Sequence, residues 1–427
     1  MREVTLTEIL DAREMRAFMQ KELIEAYKLP LVCFTMNIAG PIKVTPLIER
    51  GFKEGISLLK QTGNIVFEKT EILHTGCTFM MVADQSPESL KSICTKIEET
   101  HPLGRLFDMD VLNTYGLKLE RQNQRGCLIC KKSGRECSAG RVHSADELFK
   151  KTNEILLNYF IEKDTDEISN LAKESLLFEV STTPKPGLVD KNNSGSHKDM
   201  SFETFLKSID AIYPYFGKCF KAGYENKPFD EIRSLGKNAE KLMLAATNGV
   251  NTHKGIIYSL GIICAALGIL YEGKLKLPEN LSEICADLVK DAVKKDFENI
   301  TPGTAGGRLY LEHGIKGIRG EAEGGFKTIF NLALPVFEEN INNGMSLNDS
   351  GVFTLLKLIS ETTDTNILNR GGFDGASYAS SSAKDALTKD LSFVVELDRE
   401  FIRRNLSPGG CADLLCATYF LYKLKRG

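Results

Sequence analysis

Polar and apolar positions along the chain obey two different rules. Through about residue 145 the periods are mixed. TLTEILDAREMRAFMQKELIEAY repeats apolar residues at helical spacing behind Thr7, a candidate N-cap. LPLVCFTMNIAG and GNIVFEKTEILHTGCTFMMVAD are rich in β-branched and aromatic residues and partly alternate, as strands do. SPESLKSICTKIEETHP predicts a helix with Ser86 as cap and Pro87 at its first position. GRLFDMDVLN and LKLERQ read as short strands, completing an α+β layer domain. From about residue 146 the periodic segments are helical, as in SFETFLKSIDAIYPYFGKCF and NLSEICADLVKDAVKKDF, where Asn280 and Glu283 have capping-box spacing. GIIYSLGIICAALGIL (255–270) is apolar all round but shorter than the ~20 residues of a bilayer span, so it predicts a buried helix. The expected architecture is multidomain, an α+β domain over 1–163 followed by an all-α domain over 164–427. The joint falls within or beside a connecting helix, because 144–170 holds no Gly/Ser linker.

The length of 427 residues suits two domains, and 42% hydrophobic with 26% charged residues gives ample core. A net charge of −3 gives no support to nucleic-acid binding, so any anion site must be local. MREVTLTEILDAREM lacks a secretory apolar stretch. Together with the eleven cysteines it points to a reducing cytoplasm, where thiols are core filler, metal ligands or nucleophiles.

The helical half concentrates glycine beside charge in five segments. They are TPKPGLVDKNNSGSHKDM (183–200), NGVNTHKG (248–255), TPGTAGGRLYLEHGIKGIRGEAEGGF (301–326), TTDTNILNRGGFDGAS (362–377) and SPGGCADLL (407–415). Glycine admits a ligand close to the backbone and offers N–H groups to anions. Lys185, Lys254, Arg308, Arg319 and Arg370 supply phosphate charge. Asp190, Asp199, Glu321, Asp364 and Asp374 are hard oxygen donors of the kind Mg²⁺ takes. His197 and His253 are candidate bases or binding groups. Any one segment alone also reads as an ordinary turn or helix cap. Five together favour a phosphate-and-metal pocket.

The first half holds a second constellation. Asp108 and Asp110 stand two apart on a strand behind Gly104 and Arg105, so both carboxylates share a face and can carry the Mg²⁺ of nucleotidyl transfer. Cys127-x₂-Cys130-x₆-Cys137-x₅-His143 has spacing suited to tetrahedral zinc, with free cytoplasmic thiols as the alternative. Lys118, Arg121, Arg125, Lys131, Lys132, Arg135 and Arg141 make the same stretch basic, which suits a polyphosphate, an acidic partner or a solvated face.

STTPKPGLVDKNNSGSHKDM, with NTHKG, GIRGEAEGGF, DTNILNRGG and SPGGCADLL in order, resembles the triphosphoribosyl-dephospho-CoA synthase family over roughly 170–427. That resemblance implies ATP and 3′-dephospho-CoA as substrates, release of adenine, and transfer of the triphosphoribosyl group to the CoA ribose 2′-hydroxyl. It assigns Lys185 to phosphate, and Asp190, Asn192, Asn193, His197 and Asp199 to arranging metal, ribose and the attacking hydroxyl. TTDTN also resembles the Asp-Thr metal motif of ADP-ribosylglycohydrolases, which favours Asp364 as a metal ligand. NIAGPIKVTP, HPLGRLFDMDV and RGCLICKKSGRECSAGRVH resemble the phosphoribosyl-dephospho-CoA transferases, the citrate lyase holo-acyl-carrier-protein synthases, over about 1–160. The pattern departs at Thr78, where that family implies an acidic residue. This second resemblance implies a nucleotidyltransferase-like domain that loads the apo citrate lyase acyl carrier subunit at a serine and expels pyrophosphate. The two reactions are consecutive. Rival readings are a nucleotide N-glycosidase and a carrier-protein scaffold.

Overall fold

The computed structural model describes residues 2–121, 125–130 and 132–426, with backbone only at 135 and 138. Lys131, the side chain of Arg135 and the end of LKLERQ therefore lie outside the described residues. Backbone contacts divide the chain into two compact units, Met1–Ile161 and Glu162–Gly427.

In the first unit α1 (Leu6–Tyr27) starts earlier than expected, because Thr5 rather than Thr7 is its cap. Thr5 Oγ1 accepts from the Glu8 N–H at 3.3 Å while the Glu8 carboxylate accepts from the Thr5 N–H at 2.9 Å. Thr7 has Leu10 three residues on and no carboxylate to return the bond. Next come β1 (Leu31–Met36), α2 (Pro46–Lys60), the hairpin β2 (Ile65–Leu73) and β3 (Gly76–Ala83), α3 (Pro87–Thr100) and β4 (Phe107–Leu112). Ser86 caps α3, as its sequence predicts. The strands form an antiparallel sheet in the order β2-β3-β1-β4. One face sends Val32, Phe34, Phe79, Met81, Phe107, Met109 and Val111 into the core shared with α2, α3 and residues Leu156 and Phe160. The other buries Leu31, Cys33, Met80, Val82 and Leu112 under Ile24 of α1. The strand expected at LKLERQ is absent among the described residues: only a single Leu112–Lys118 bridge forms. Tyr115 and Leu117 are exposed, so nothing on this segment anchors a strand to the core. Gly104–Leu106 is a 3₁₀ turn rather than strand. A short α4 (Gly134–Ala139) leads to α5 (Ala145–Ser181), a 37-residue helix within which the first unit ends.

The second unit contains helices and no strand among the described residues. After α5 come α6 (Phe202–Tyr224), α7 (Phe229–Ala246), α8 (Lys254–Ile269), α9 (Leu281–Glu298), α10 (Ala305–His313), α11 (Gly317–Glu323), α12 (Leu334–Asn342), α13 (Leu347–Glu361), α14 (Thr365–Ala386), α15 (Leu391–Arg403) and α16 (Gly409–Arg426). The apolar run 255–270 is the buried centre, with α8 packed by α6, α7, α9 and α16. No helix among the described residues is long and apolar enough to cross a membrane. The capping box expected at Asn280 does not form. Its backbone (φ −92°, ψ 15°) lacks the extended geometry from which a side chain reaches back to the first turn.

Candidate active sites

The glycine-and-charge segments of the helical unit are largely helix starts rather than free loops. NTHKG opens α8, TAGG opens α10, DTN opens α14 and PGG opens α16. The first turns of these helices line one cavity of about 1000 Å³. Orphan N–H groups and the positive helix ends therefore face a common space. RGGFDG, expected as loop, continues α14 through a kink at Gly372, whose φ of 62° a glycine tolerates.

Residues 182–200 wrap this cavity without helical structure, and Asp190 organises them. Its carboxylate accepts from Thr183 Oγ1 at 2.6 Å and from the N–H groups of Lys185, Asn192 and Asn193 at 3.3, 2.7 and 3.0 Å. Asn193 donates to Asp398 at 2.8 Å, and Asn192 to Thr183 Oγ1 at 2.8 Å. Gly187 has φ of 71°, and a Cβ there would lie 2.1 Å from the Leu406 carbonyl oxygen, so only glycine fits. Asp190, Asn192 and Asn193 thus build the loop and do not line the cavity. Asp199 is exposed, 4.0 Å from His197 Nδ1, and also stands outside it.

Lys185 and His197 do face the cavity. Lys185 is 1% exposed and donates to Glu179 at 2.5 Å, leaving two of its three protons for a ligand. Arg370 donates to the Ser196 carbonyl at 2.9 Å and to His197 Nδ1 at 3.2 Å. A guanidinium cannot accept, so Nδ1 is bare and Nε2 carries the proton toward Ser407 Oγ at 2.9 Å. Burial and the Arg370 charge lower the His197 pKa, so the ring is neutral, with both of its nitrogens engaged by Arg370 and Ser407.

His253 is 3% exposed. Thr252 Oγ1 donates to Ser208 Oγ at 2.8 Å, so the Ser208 proton points to His253 Nδ1 at 2.6 Å. Burial and Lys185 push the ring pKa down to about 3. The neutral ring then keeps its proton on Nε2, a buried atom with no hydrogen-bond partner in the cavity wall.

Lys254 pairs with Glu240 at 3.1 Å, and Arg319 with Asp296 at 3.3 Å. Glu321 accepts from Thr328 Oγ1 at 2.7 Å. All three line the cavity, whereas Arg308 and Asp374 are exposed outside it. Asp364 lines it too, and both of its oxygens accept backbone N–H groups. Oδ1 accepts from Asn366 and Ile367 N–H at 2.7 and 3.2 Å, and Oδ2 from Cys411 N–H at 2.9 Å. It is the cap that joins the starts of α14 and α16.

Glu179, Ser208 and Asp413 were not singled out from sequence. Asp413 projects from α16 onto the start of α8, where a Cβ on Gly255 would lie 1.9 Å from Asp413 Oδ2. Burial first, then the charges of Glu179 and Asp364, hold its carboxyl well above the usual carboxylate range.

In the first unit Asp108 and Asp110 share one sheet face, opposite Thr35 and Cys33 of β1. Thr78 lies in the same row across the sheet, paired with Thr35. Lys118 pairs with Asp110 at 2.7 Å. Burial and the Asp110 charge raise the Asp108 carboxyl, against the pull of Arg125, Lys118 and Lys91. Arg105 donates to the Gly126 carbonyl and Arg125 to the Phe107 carbonyl, the latter at 2.6 Å. Arg141 is exposed after α4. Cys127, Cys130, Cys137 and His143 each bring one ligand atom within 4.8 Å of the others. His143 and neighbouring donors lower the Cys130 thiol to about 6, which makes it a thiolate at neutral pH.

Two family models match, in tandem. Residues 4–159 match the family described as apo-citrate lyase phosphoribosyl-dephospho-CoA transferase, and residues 165–427 match ATP:dephospho-CoA triphosphoribosyl transferase. Among curated relatives, Protein CitXG of Haemophilus influenzae is 35% identical over 99% of this chain and 97% of its own length. Protein CitXG of Leuconostoc mesenteroides subsp. cremoris is 34% identical with the same coverage. The 2-(5''-triphosphoribosyl)-3'-dephosphocoenzyme-A synthase of Pectobacterium atrosepticum is 40% identical over 60% of this chain and 88% of its own. Full-length identity and two ordered matches carry one conclusion: the chain belongs to the two-part CitXG family, a citrate lyase phosphoribosyl-dephospho-CoA transferase joined to an ATP:dephospho-CoA triphosphoribosyl transferase.

Proposed function

We propose that the chain makes the citrate lyase prosthetic group on its helical unit and attaches it with its α+β unit. ATP and 3′-dephospho-CoA give 2′-(5″-triphosphoribosyl)-3′-dephospho-CoA and adenine. The product then esterifies a serine of the apo acyl carrier protein and releases pyrophosphate. The carrying observation is the cavity itself, where four helix starts meet Lys185, Lys254, Arg319 and Arg370. This lining suits a triphosphate. The free cysteines suit a cytoplasmic setting.

In the first step Lys185, steadied by Glu179, and the His253 Nε2–H bind phosphate or ribose oxygens. Asp413, kept protonated by its surroundings, hands its proton to adenine as the C1′–N9 bond breaks. The resulting carboxylate faces the developing positive charge at C1′ and then takes the proton of the attacking 2′-hydroxyl. The proton count closes, and Asp413 ends as it began. Asp364, already accepting three N–H bonds, acts by holding α14 and α16 together rather than as a primary metal ligand. Asp374, exposed outside the cavity, does not fit a metal role there. Mg²⁺ dehydrates reluctantly and binds through one or two carboxylates and the substrate's phosphates, and Glu179 is the cavity carboxylate that would take that part while Asp413 keeps its proton.

In the second step Asp108 and Asp110 would hold Mg²⁺, since two half-buried carboxylates on one face gain from a shared cation. When bound, that ion neutralises the departing pyrophosphate. The chain's own contribution is positive charge from Lys118 and Arg125 beside the carboxylates. A nucleotidyltransferase-like fold for this unit belongs to the same reading.

Substitution separates the steps. Asp413→Asn should slow adenine release about 100-fold or more, the usual scale of general acid catalysis, and still load the carrier from preformed triphosphoribosyl-dephospho-CoA. Asp108→Asn should release adenine and leave the carrier unloaded. Adenine by chromatography and carrier mass by mass spectrometry read both steps. A single change that stops both would refute the division of labour.

A further inference from the structure

The stretch that follows Arg125 has little with which to fold by itself. Between Arg125 and Ser144, among the described residues, only Leu128 packs against the sheet core, and Val142 is exposed. A segment that cannot bury apolar surface requires a staple. Its backbone is nevertheless tightly turned. Gly126 and Ser133 form an antiparallel bridge, the Cys127 N–H donates to the Lys132 carbonyl at 2.5 Å, and the Gly134 N–H donates to the Arg125 carbonyl at 3.1 Å. A Cβ on Gly134 would meet that same carbonyl oxygen at 2.9 Å, so the close crossing depends on glycine.

This turn brings Cys127 and Cys130 together, α4 supplies Cys137, and the chain after it returns with His143. Cys130 and Cys137 Sγ atoms stand 3.3 Å apart, and all four ligand atoms lie within 4.8 Å of one another. A tetrahedron with Zn–S bonds of ~2.3 Å has edges of ~3.8 Å, which is the scale of this cluster. His143 Nε2 is buried and has no hydrogen-bond partner. Three soft sulfur donors and an imidazole select zinc over magnesium, and four protein ligands leave no open position for catalysis.

The geometry points to a structural zinc site at Cys127, Cys130, Cys137 and His143 that fixes the arginine-bearing loop beside Asp108 and Asp110. The loop is tied to the catalytic strand at several points. Arg105 donates to Gly126, and Arg125 to Phe107. Arg121 and Arg125 pair with the buried Glu98, which also accepts from the Met109 N–H at 2.7 Å. Holding the turn closed holds Arg125 next to the two carboxylates. The metal site stands on its own geometry, while its effect on carrier loading rests on the assignment of that step to Asp108 and Asp110.

The test uses the reduced full-length chain. Elemental mass spectrometry after dialysis should find one zinc per chain, and X-ray absorption should show three sulfurs and one nitrogen around it. Cys130→Ser and Cys137→Ser should each lower zinc content at least about tenfold, the scale expected when ligation fails. Should these variants not fold, cobalt added to the wild-type chain must give the absorption of a tetrahedral thiolate complex. Removing zinc with a chelator should slow carrier loading about tenfold or more, while adenine release changes less than about twofold. No stoichiometric zinc on reduced wild-type protein supplied with Zn²⁺, or a metal shell without sulfur, overturns the site. Unchanged loading after zinc removal overturns its positioning role. If Asp108→Asn still loads the carrier, the assignment of the transfer step fails and the zinc measurement stands.

Discussion

His253 shows how one residue's surroundings choose its chemistry. Ser208 fixes the tautomer, Thr252 fixes Ser208, and burial removes the charged form. The ring is left as a neutral N–H donor at the cavity wall. The same burial makes the helical unit acid-sensitive. The folded pKa of about 3 lies below the ordinary 6.5, so below pH 6.5 the unfolded chain takes up a proton that the folded chain refuses. Stability from this group is therefore complete above pH 6.5 and is lost as pH falls toward 3. By pH 5 the loss is about 2 kcal/mol, at 1.36 kcal/mol per pKa unit. Denaturant unfolding followed by circular dichroism at pH 7 and pH 5 should show a drop of that order in the wild type. His253→Gln should show a smaller one. Equal drops in the two proteins would mean that His253 is not the titrating group.

At the scale of elements, the loop 182–200 is held together by the Asp190 carboxylate, which stands outside the cavity lining. Asp190→Ala strands a hydroxyl and three N–H donors, each worth roughly 1–3 kcal/mol when left buried without a partner. The loop should loosen around Lys185. Adenine release should fall by about tenfold or more, while loading from the preformed intermediate stays within about twofold, as read by the two assays above. Intact adenine release would show that the loop tolerates losing its centre. The sequence made this loop and four companion segments visible because glycine and charge interrupt apolar periodicity. It did not show that four of them begin helices, since the same residues serve as turns and as caps. Glu179 and Ser208 stay hidden inside ordinary amphipathic stretches and become site residues only when α5 and α6 pack. Asp413 did leave a signal, as the one charge in the apolar run CADLLCATYFLY. Thr5 and Asn280 show the opposite limit: cap spacing alone does not decide which residue has the backbone geometry to cap.

For the whole molecule, the change from mixed to purely helical periodicity near residue 146 announced an α+β part followed by an α part. Two compact units and two tandem family matches agree with that order. The connecting α5 carries no linker composition because it is a single long helix. The central claim is that one chain performs two consecutive transfers. The most direct measurement incubates the full-length chain with apo carrier, ATP, Mg²⁺ and 3′-dephospho-CoA, and follows adenine and carrier mass together. The carrier should gain the mass of phosphoribosyl-dephospho-CoA, with one adenine released per carrier loaded and none when dephospho-CoA is omitted. An unshifted carrier mass, or adenine released equally well without dephospho-CoA, would contradict that claim.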